Sequence, residues 1–416
     1  MCGLLRSDAE SVIAVAWTGI AANLLIGGRT VHSRFKLPLD LDSFRTCGIK
    51  TNSKEAEEIR RSKLIIWDEA PMAPATALEA VDTCLKDIMR NKLDFGGKVV
   101  VLGGDFRQCL PVVRHGSKSA CIKSCLQFSK LWSLFGHNII HLKTNMRTGS
   151  GEQLFADWLL KLGNGELNDK NDDVDLTNFK PETPLVTGSL TDVIFGDRID
   201  TSDCDRLADN VILCPLNEDT LKINDAIVQR IDGREQVYES IDCIASDSEE
   251  DKISFPMEYL YSLTGLPPHV LKLREGVVVM LLRNLNIAEG LCNGTRLVIS
   301  ELRDHVLRCI ILTGQRKGVQ VMIPRITLTS QDPFIPFALC RRQFPIRLAF
   351  AMTINKAQGQ TFGRVGLYLR EPVFSHGQLY VAFSRVRNAQ SIRVKIEHKG
   401  SRKATKNIVY GEILRI

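Results

Sequence analysis

The chain has 416 residues, which is enough for two or three domains that each bury a core of their own. Its hydrophobic fraction of 44% and charged fraction of 25% are typical of globular proteins, and its formal net charge of +6 permits contact with a polyanion without requiring it. No transmembrane helix is expected, since no stretch reaches the roughly 18 consecutive apolar residues that one needs, and no targeting segment is visible.

Several apolar runs are short and end in polar or glycine residues. Such runs are typical of parallel strands that are buried on both faces of a sheet. We predict strands at residues 12–16, 64–67, 99–102, 139–142 and 211–214, with helices between them at 75–89 and 151–162. Because strands and helices alternate, the sequence predicts an α/β fold, in which ligands bind at the carboxyl ends of the strands.

The segment from about residue 277 to 340 consists of short β-branched stretches separated by turns. We predict a small β-barrel insertion there, with strands at 277–282, 295–301, 306–312 and 319–328. Acidic stretches at 165–175 and 245–252 are predicted to be solvated surface loops, the first of which separates two halves of the chain.

The twelve cysteines are scattered and form no CxxC pair. Cys121 and Cys125 come closest, but no second pair completes a zinc site. The pattern therefore favours small buried thiols in a reducing compartment over a bound metal.

Asp68 and Glu69 directly follow the predicted strand at 64–67. Nucleotide hydrolases use two carboxylates in this position, the first to hold Mg²⁺ through its water shell and the second to polarise the attacking water. A strand that ends in solvated acids has the same pattern, so this motif alone leaves both interpretations open.

Two further polar groups follow predicted strands. Gln108 comes after the strand at 99–102 and a Gly-Gly turn, and its amide could orient a water beside a terminal phosphate. Arg147 follows the predicted strand at 139–142 and could bind a phosphate bidentately, although a lone loop arginine also suits a surface ion pair.

Taken together, these motifs resemble the Pif-type (petite integration frequency) 5′-to-3′ DNA helicases of superfamily one, and most of all the eukaryotic branch that includes helicases of rolling-circle transposons. Eight blocks occur in the family's order over nearly the whole chain. They are WTGIAANLLIGGRTVHSRFKLPL at 17–39, IIWDEAPM at 65–72, GGDFRQCLPVV at 103–113, LKTNMRT at 142–148, ILCPLNEDTLKIN at 212–224, LLRNLNIAEGLCNGTRLVI at 281–299, RRQFPIRLAFAMTINKAQGQTF at 341–362 and GQLYVAFSRVR at 377–387.

The resemblance implies a catalytic site for ATP and Mg²⁺. Asp68 would hold the magnesium ion through water, Glu69 would be the catalytic base and Gln108 would sense the γ-phosphate. Two arginine fingers and two further nucleotide contacts complete the implied set: Arg147, Arg385, Gly359 and Gln360.

The resemblance also implies contacts with single-stranded DNA from Thr18, Gly19, His32, Phe35 and Lys356. The strand-to-helix turn at Thr18 offers backbone N–H groups to DNA phosphates. Phe35 offers a ring on which a base could stack, while a core position suits it equally well.

The implied architecture has two RecA-like parallel-sheet cores, the first incomplete, with a small SH3-like β insertion in the second. We predict the first core at 1–185, the second at 200–300 together with 345–416, and the insertion at 300–345. The implied protein is a monomeric ATP-dependent DNA helicase of the nucleus or mitochondrion. It would act on single-stranded DNA and duplex junctions in repair, recombination, telomere or transposon maintenance.

The phosphate-binding motif G-x-x-x-x-G-K-[ST] occurs nowhere in the sequence, and Met1 falls within the helix that follows this loop in the family. A P-loop supplies backbone N–H groups, a lysine and a hydroxyl to the nucleotide and Mg²⁺. We therefore expect this chain, expressed alone, to hydrolyse ATP poorly and to aggregate along its open sheet edge.

Three explanations for the missing loop stay open: a short gene model, a decayed mobile-element copy, and a protein that lost its ATPase activity. The alternative function is an ATPase-dead remnant that binds single-stranded DNA. A small-molecule phosphotransferase is disfavoured, because it has no use for the Arg385 block or the β insertion.

Overall fold

The computed structural model describes residues 11–38, 41, 46–113, 116–149, 151–179, 183–201, 203–245, 266–314, 316–330, 338–397 and 403–415. None of the helices in these segments combines the length and the apolar character needed to cross a membrane. The predicted acidic loop at 245–252 lies, apart from the backbone of residue 245, outside the described residues.

The strands, numbered in chain order, are β1 (Ser11–Ala16), β2 (Arg29–Thr30), β3 (Ser62–Asp68), β4 (Val99–Leu102), β5 (Asp173–Asp175), β6 (Asn210–Cys214), β7 (Gln236–Glu239), β8 (Ile241–Ala245), β9 (Val270–Leu273), β10 (Val278–Leu281), β11 (Arg296–Leu302), β12 (Val306–Ile311), β13 (Gln320–Pro324), β14 (Ile326–Thr329), β15 (Ala338–Gln343), β16 (Ile346–Leu348), β17 (Ala351–Thr353), β18 (Arg364–Leu369), β19 (Ile392–Ile396) and β20 (Ala404–Lys406).

The α-helices are α1 (Gly19–Leu24), α2 (Val31–Phe35), α3 (Lys54–Arg61), α4 (Ala75–Met89), α5 (Lys118–Lys123), α6 (Ser133–Gly136), α7 (Gln153–Asn164), α8 (Leu190–Phe195), α9 (Cys204–Asp209), α10 (Asn217–Val228), α11 (Gln378–Phe383) and α12 (Gly411–Leu414). The mixture of helices and parallel strands confirms the predicted α/β class.

Two compact units make up the chain. The first comprises residues 1–190, 213–215 and 353–416, and the second comprises residues 191–212 and 216–352. Two of the four boundaries between the units fall inside β6 and β17, one falls inside the helix at Leu190–Phe195, and one follows β6. The predicted division at 1–185, 200–300 with 345–416, and 300–345 follows different boundaries and stays a prediction.

A parallel sheet with the strand order β2-β1-β3-β4 forms the centre of the first unit. Its register pairs Ala16 with Asp68 and Trp67 with Leu102. The three strands predicted at 12–16, 64–67 and 99–102 are thereby confirmed. Because the strands are parallel, their carboxyl ends meet at one edge of the sheet, where we predicted the site.

Helix α4 covers this sheet and matches the helix predicted at 75–89. It presents Leu78, Val81, Leu85 and Ile88, which are spaced by three or four residues and lie in the main core with Trp67. Each such buried side chain contributes roughly 1.5–3 kcal/mol, which is why the apolar stripe sets how the helix packs. The helix ends at Met89, because Arg90 adopts a left-handed conformation with φ of 52°.

The strand predicted at 139–142 is wrong. These residues form no regular structure, and Ile140 and Leu142 are 84% and 93% exposed. A strand needs a partner, and the neighbouring edge strand β4 leaves Val99 and Val101 exposed instead of pairing with this segment. An apolar run alone therefore did not establish a strand.

The acidic stretch at 165–175 is also more ordered than predicted. Its last three residues form β5, which pairs antiparallel with β20, and Val174 is buried. The Asp169 carboxylate accepts backbone hydrogen bonds from Asn171 and Asp173, at 2.7 and 2.9 Å. These bonds shape a turn, and they lower the pKa of Asp169.

The second unit is rich in antiparallel strands, as predicted. Its largest sheet has the order β13-β12-β11-β10-β16, and a smaller one has the order β14-β15-β8. The single strand predicted at 319–328 is broken at Arg325 into β13 and β14, which belong to different sheets. Whether residues 300–345 form an SH3-like barrel stays a prediction.

Candidate active site

Strand β3 delivers Asp68 and Glu69 to the carboxyl edge of the first sheet. Glu69 adopts a left-handed backbone conformation with φ of 53° and ψ of 33°, and its backbone N–H donates to Oδ1 of Asp68 over 2.9 Å. A non-glycine residue in this conformation costs about 1–3 kcal/mol and is found mostly where surrounding structure enforces it.

The turn after β4 enforces that conformation. The N–H of Gly103 donates to the carbonyl of Trp67 at 2.8 Å, and the N–H of Ala70 donates to the carbonyl of Gly103 at 2.9 Å. A Cβ at Gly104 would lie 2.2 Å from Cδ of Pro71, so only glycine permits this close packing. The Gly-Gly pair thus holds the two strand ends together.

Glu69 lies in a charged environment that tunes its carboxylate. Burial raises the pKa of Glu69, the neighbouring Asp68 raises it further, and Arg385 and Arg147 oppose both effects. Glu69 therefore combines an elevated proton affinity with two nearby cations, as a general base beside a polyanionic substrate would require.

Arg385 follows α11 and is 1% exposed. Its Nε donates to the carbonyl of Val381 at 3.0 Å, Nη1 to the carbonyl of Gln360 at 3.0 Å, and Nη2 to Oγ of Ser384 at 2.8 Å. Burial, followed by repulsion from Arg147, lowers the pKa of Arg385 to about 10. The guanidinium is thus a cation whose position is fixed by backbone carbonyls.

Arg147 is exposed and lies against the same segment. Its Nη1 donates to the carbonyl of Ser384 at 3.2 Å, while the Asn145 side chain accepts from the backbone N–H of Arg147 at 2.9 Å. A cavity of about 610 Å³ opens beside it, lined by Met146, Arg147, Thr148, Gly149, Thr361 and Arg387. Its two arginines and three small polar or glycine residues suit an anionic group.

Gln108 lies in the turn that follows β4, where its N–H donates to the carbonyl of Asp105 at 3.1 Å. Its side chain is 9% exposed, and no described residue hydrogen-bonds its Oε1. The next residue, Cys109, lies in the electrostatic field of Arg385. The structure therefore brings the Gln108 turn close to the arginine segment.

Three residues that the sequence did not single out hold this turn. Tyr380 on α11 donates from its hydroxyl to Oδ2 of Asp105 over 2.7 Å. The buried His376 bonds through Nε2 to the carbonyl of Phe106 at 2.9 Å and accepts at Nδ1 from the N–H of Tyr410 at 2.8 Å. These bonds require a neutral ring with its proton on Nε2, and burial lowers the pKa of His376 accordingly.

The predicted nucleotide contacts Gly359 and Gln360 share one turn. The carbonyl of Gln360 accepts from Arg385, and its side chain donates to the carbonyl of Lys356 at 3.0 Å. A Cβ at Gly359 would lie 3.6 Å from the backbone nitrogen of Ala21, so this turn borders α1. The preceding Gln358 is 2% exposed, and no described residue hydrogen-bonds its amide atoms.

Four of the five predicted DNA contacts lie in or directly before α1 and α2. Thr18 caps α1, its Oγ1 accepting from the N–H of Ala21 at 3.3 Å, and Gly19 opens the helix. His32 packs against Trp17 with ring centroids 4.6 Å apart and ring planes tilted by 54°, and burial lowers the pKa of His32. Lys356, the fifth, lies in a 3₁₀ turn at Ile354–Ala357.

Phe35 requires a correction. Its side chain is fully buried in the main core, beside Val31 and the sheet residues Ile13 and Val15. A ring without exposed surface offers no face to a base, so the core alternative describes Phe35. Because Phe35 is flanked by Arg34 and Lys36, the local sequence does not show whether its ring lies in the core or on a DNA-binding surface.

Comparison with known proteins identifies the family to which the chain belongs. The profile of the PIF1-like helicases matches residues 1–173, and that of the DNA helicase Pif1 2B domain matches residues 258–302. The chain belongs to the PIF1-like helicase family. The 2B match in this PIF1-like helicase covers β9, β10 and β11, N-terminal to the insertion predicted at 300–345.

Curated relatives align over most of this PIF1-like helicase. The ATP-dependent DNA helicase Pif1 of Bdellovibrio bacteriovorus is 27% identical over 390 residues, which cover 93% of this chain and 78% of the relative. The ATP-dependent DNA helicases PIF1 of Danio rerio and Homo sapiens are 27% and 26% identical, each over 92% of this chain. The chain spans only 54% of the length of each of these two vertebrate relatives.

Solved structures share the fold. The Pif1 helicase from Bacteroides in complex with ADP-AlF3 and ssDNA has a TM-score of 0.69 at 24% identity, covering 99% of this chain and 88% of that chain. The Pif1 helicase from Candida albicans has a TM-score of 0.67 at 24% identity, covering 99% and 90%. At this identity the likeness establishes the fold of the PIF1-like helicase, and its site must be argued from its own residues.

Proposed function

We propose that this PIF1-like helicase couples ATP hydrolysis to 5′-to-3′ movement along single-stranded DNA and to unwinding of duplex. The observation that carries the proposal is the convergence of one elevated-pKa carboxylate, Glu69, with the cations Arg147 and Arg385. These groups come from three sequence blocks that are far apart in the chain. A nucleotide site explains why they meet.

Each residue has a defined task in this proposal. Glu69 accepts the proton of the attacking water, and its raised pKa makes it a stronger base for that role. Arg147 and Arg385 stabilise the negative charge that develops on the transferred phosphoryl group. The buried Oε1 of Gln108 orients the water.

The residues also fit a magnesium ion that belongs to the nucleotide. Among the described residues no cluster of three or more His, Cys, Asp or Glu side chains could hold a metal ion. Asp68 offers a single carboxylate, which suits Mg²⁺ that keeps most of its waters and binds phosphate oxygens. When bound, the ion neutralises charge on the phosphates.

The proposed DNA contacts are Thr18, Gly19, His32 and Lys356. Thr18 and Gly19 begin α1, the helix that the turn at Gly359 borders through Ala21. A nucleotide contact and a DNA contact on one turn offer a physical route for coupling hydrolysis to movement. Solved relatives include a Bacteroides Pif1 bound to ssDNA and two coordinating Pif1 helicases at forked dsDNA. We propose single-stranded DNA and forked duplex as substrates here, in the nucleus or mitochondrion, in repair, recombination, telomere or transposon maintenance.

A second candidate function is binding of single-stranded DNA without hydrolysis. It rests on the proposed DNA contacts Thr18, Gly19 and Lys356, whose positions at the start of α1 and in the 3₁₀ turn do not depend on hydrolysis. This function keeps the DNA contacts and loses the turnover.

The test is ATP hydrolysis by the purified chain with and without single-stranded DNA, alongside unwinding of forks that carry a 5′ or a 3′ tail. DNA-stimulated turnover that Glu69→Gln abolishes, with unwinding from the 5′ tail only, supports the helicase. Tight DNA binding without turnover supports the second function. Failure to bind single-stranded DNA contradicts both.

A further inference from the structure

Two cysteines in the second unit oppose each other across neighbouring strands. Cys340 on β15 is the register partner of Cys243 on the antiparallel strand β8. Directly opposed residues direct their side chains to the same face of a sheet. The two thiols therefore lie on one face of the sheet, directly opposite each other.

The backbone geometry at this pair suits a disulfide. The N–H of Ser330 donates to the carbonyl of Leu339 at 2.7 Å, so the backbone of Leu339 faces β14. In a strand the backbone N–H and C=O groups of successive residues point to opposite neighbours. The backbone of Cys340 therefore faces β8 and forms a hydrogen-bonded pair with Cys243. In such a pair the Cα atoms lie about 5.5 Å apart, within the roughly 4.4–6.8 Å found in disulfides. The Cβ atoms are farther apart than the roughly 3.5–4.5 Å of a relaxed bridge, so the two strands must approach slightly, and the resulting strain makes the bond easier to reduce.

Solvent reaches the pair from the outer face of the small sheet. Cys243 is exposed and Cys340 is half-buried, with Oγ1 of Thr329 lying 3.4 Å from the Cys340 sulfur. The neighbouring Leu339 and Arg341 are fully buried on the opposite face. A bond between the two sulfurs would therefore form without disturbing the core.

Other neighbouring cysteines are less accessible. Cys84 is 6% exposed, and Cys125 is fully buried. Among the described cysteines, Cys243 is the one in the exposed class. Burial, followed by the neighbouring Cys340, still raises the pKa of the Cys243 thiol, which slows its reaction at neutral pH without changing the equilibrium.

We propose that Cys243 and Cys340 form a reversible disulfide when the protein meets a low-molecular-weight disulfide such as oxidised glutathione. The Cys243 thiolate attacks one glutathione sulfur, forming a mixed disulfide and expelling one glutathione thiolate. The Cys340 thiolate then attacks the Cys243 sulfur and expels the second glutathione. Two cysteine thiols are oxidised, one glutathione disulfide is reduced to two thiols, and the cysteine protons pass to them.

The disulfide would cross-link β8 and β15 in a sheet that has a small hydrophobic core. The buried cluster beneath β14, β15 and β8 contains only Leu266, Leu328 and Leu339 among the described residues. A cross-link between strands that are far apart in sequence restricts the unfolded chain and limits local opening. Oxidation would therefore rigidify this sheet while leaving the proposed ATP site in the first unit unchanged.

The test equilibrates the full chain with oxidised and reduced glutathione at fixed ratios, blocks free thiols by alkylation, and identifies non-reduced tryptic peptides by mass spectrometry. We expect a peptide that joins Cys243 to Cys340, reversed by excess reduced glutathione. The Cys47→Ser variant should retain it, and Cys243→Ser should lose it and carry glutathione at Cys340. On oxidation, hydrogen exchange in β8 and β15 should slow roughly tenfold in the wild type and in Cys47→Ser, and should not slow in Cys243→Ser.

Two outcomes would overturn the proposal. One is alkylation of both thiols at every glutathione ratio. The other is glutathione on each cysteine separately with no joined peptide, which would show that the two sulfurs do not meet. Because serine replaces cysteine at nearly the same volume, unchanged thermal melting of the reduced variants confirms that they are folded.

Discussion

Arg147 donates from Nη1 to the backbone carbonyl oxygen of Ser384 over 3.2 Å, although the two residues are 237 positions apart in the chain. The contact places Arg147 beside Arg385, and each arginine affects the titration of Glu69. Two like charges held together are unfavourable, and a bound polyanion relieves that repulsion. The two arginines nevertheless differ in burial, so their replacement should have different consequences.

Replacing each of the two arginines by alanine should lower the free energy of unfolding by different amounts. Arg385→Ala leaves buried carbonyls without their donor and should lower the free energy of unfolding by about 3 kcal/mol or more. Arg147→Ala removes an exposed side chain and should change it by no more than about 0.5 kcal/mol. Urea denaturation measures both, and equal losses in the two variants would contradict the described burial.

Glu69→Gln should stabilise the fold at neutral pH. Because the pKa of Glu69 is raised in the folded chain, the folded state binds more protons than the unfolded state. Stability therefore falls as pH rises from the ordinary glutamate pKa of 4.5 through the higher pKa of the folded chain. Glutamine does not titrate, so the difference in melting temperature between variant and wild type should grow over that window and then level off. The exposed Glu289→Gln is the control and should show no such growth.

His376 should contribute a stability that disappears on acidification. Burial lowers the pKa of His376 in the folded chain. The unfolded state therefore takes up a proton first as pH falls below the ordinary histidine pKa of 6.5. The contribution is complete above that value and is lost as pH falls towards the folded pKa. His376→Gln should therefore lose less stability than wild type between pH values of roughly 7.5 and 5.5, whereas the exposed His137→Gln should behave as wild type.

The Tyr380 hydroxyl should stabilise the turn that carries Gln108. It donates to the Asp105 carboxylate at 2.7 Å, and a hydrogen bond to a charged group contributes about 1.5–3 kcal/mol. Tyr380→Phe should lower the free energy of unfolding by that amount. Tyr368→Phe, which removes a hydroxyl bonded to the exposed Glu397, should have a smaller effect, and an equal one would count against this assignment.

The sequence predicted those parts of the fold that local patterns determine. The apolar runs at 12–16, 64–67 and 99–102 became β1, β3 and β4, and the helix at 75–89 has the predicted bounds. Residue types at strand ends also indicated Asp68 and Glu69.

What the sequence could not predict depends on contacts between distant segments. The bond between His376 and Phe106 joins residues 270 positions apart, and nothing local to either residue indicates it. For the same reason the run at 139–142 was predicted as a strand, since only a partner strand decides whether it pairs. Tyr380 lies within the sequence block that carries Arg385, and only this position indicated that Tyr380 could lie near the candidate active site.

The central claim is that Glu69 and the two arginines share one electrostatic environment, and titration of Glu69 tests it most directly. The pKa of the ¹³C-labelled Glu69 carboxylate would be measured by NMR in the wild type, Arg147→Ala and Arg147→Lys. We predict that Arg147→Ala raises the pKa of Glu69 further, because a cation that opposed the raised value is gone, while the charge-preserving Arg147→Lys leaves it near that of the wild type. The same pKa in all three proteins would contradict the account.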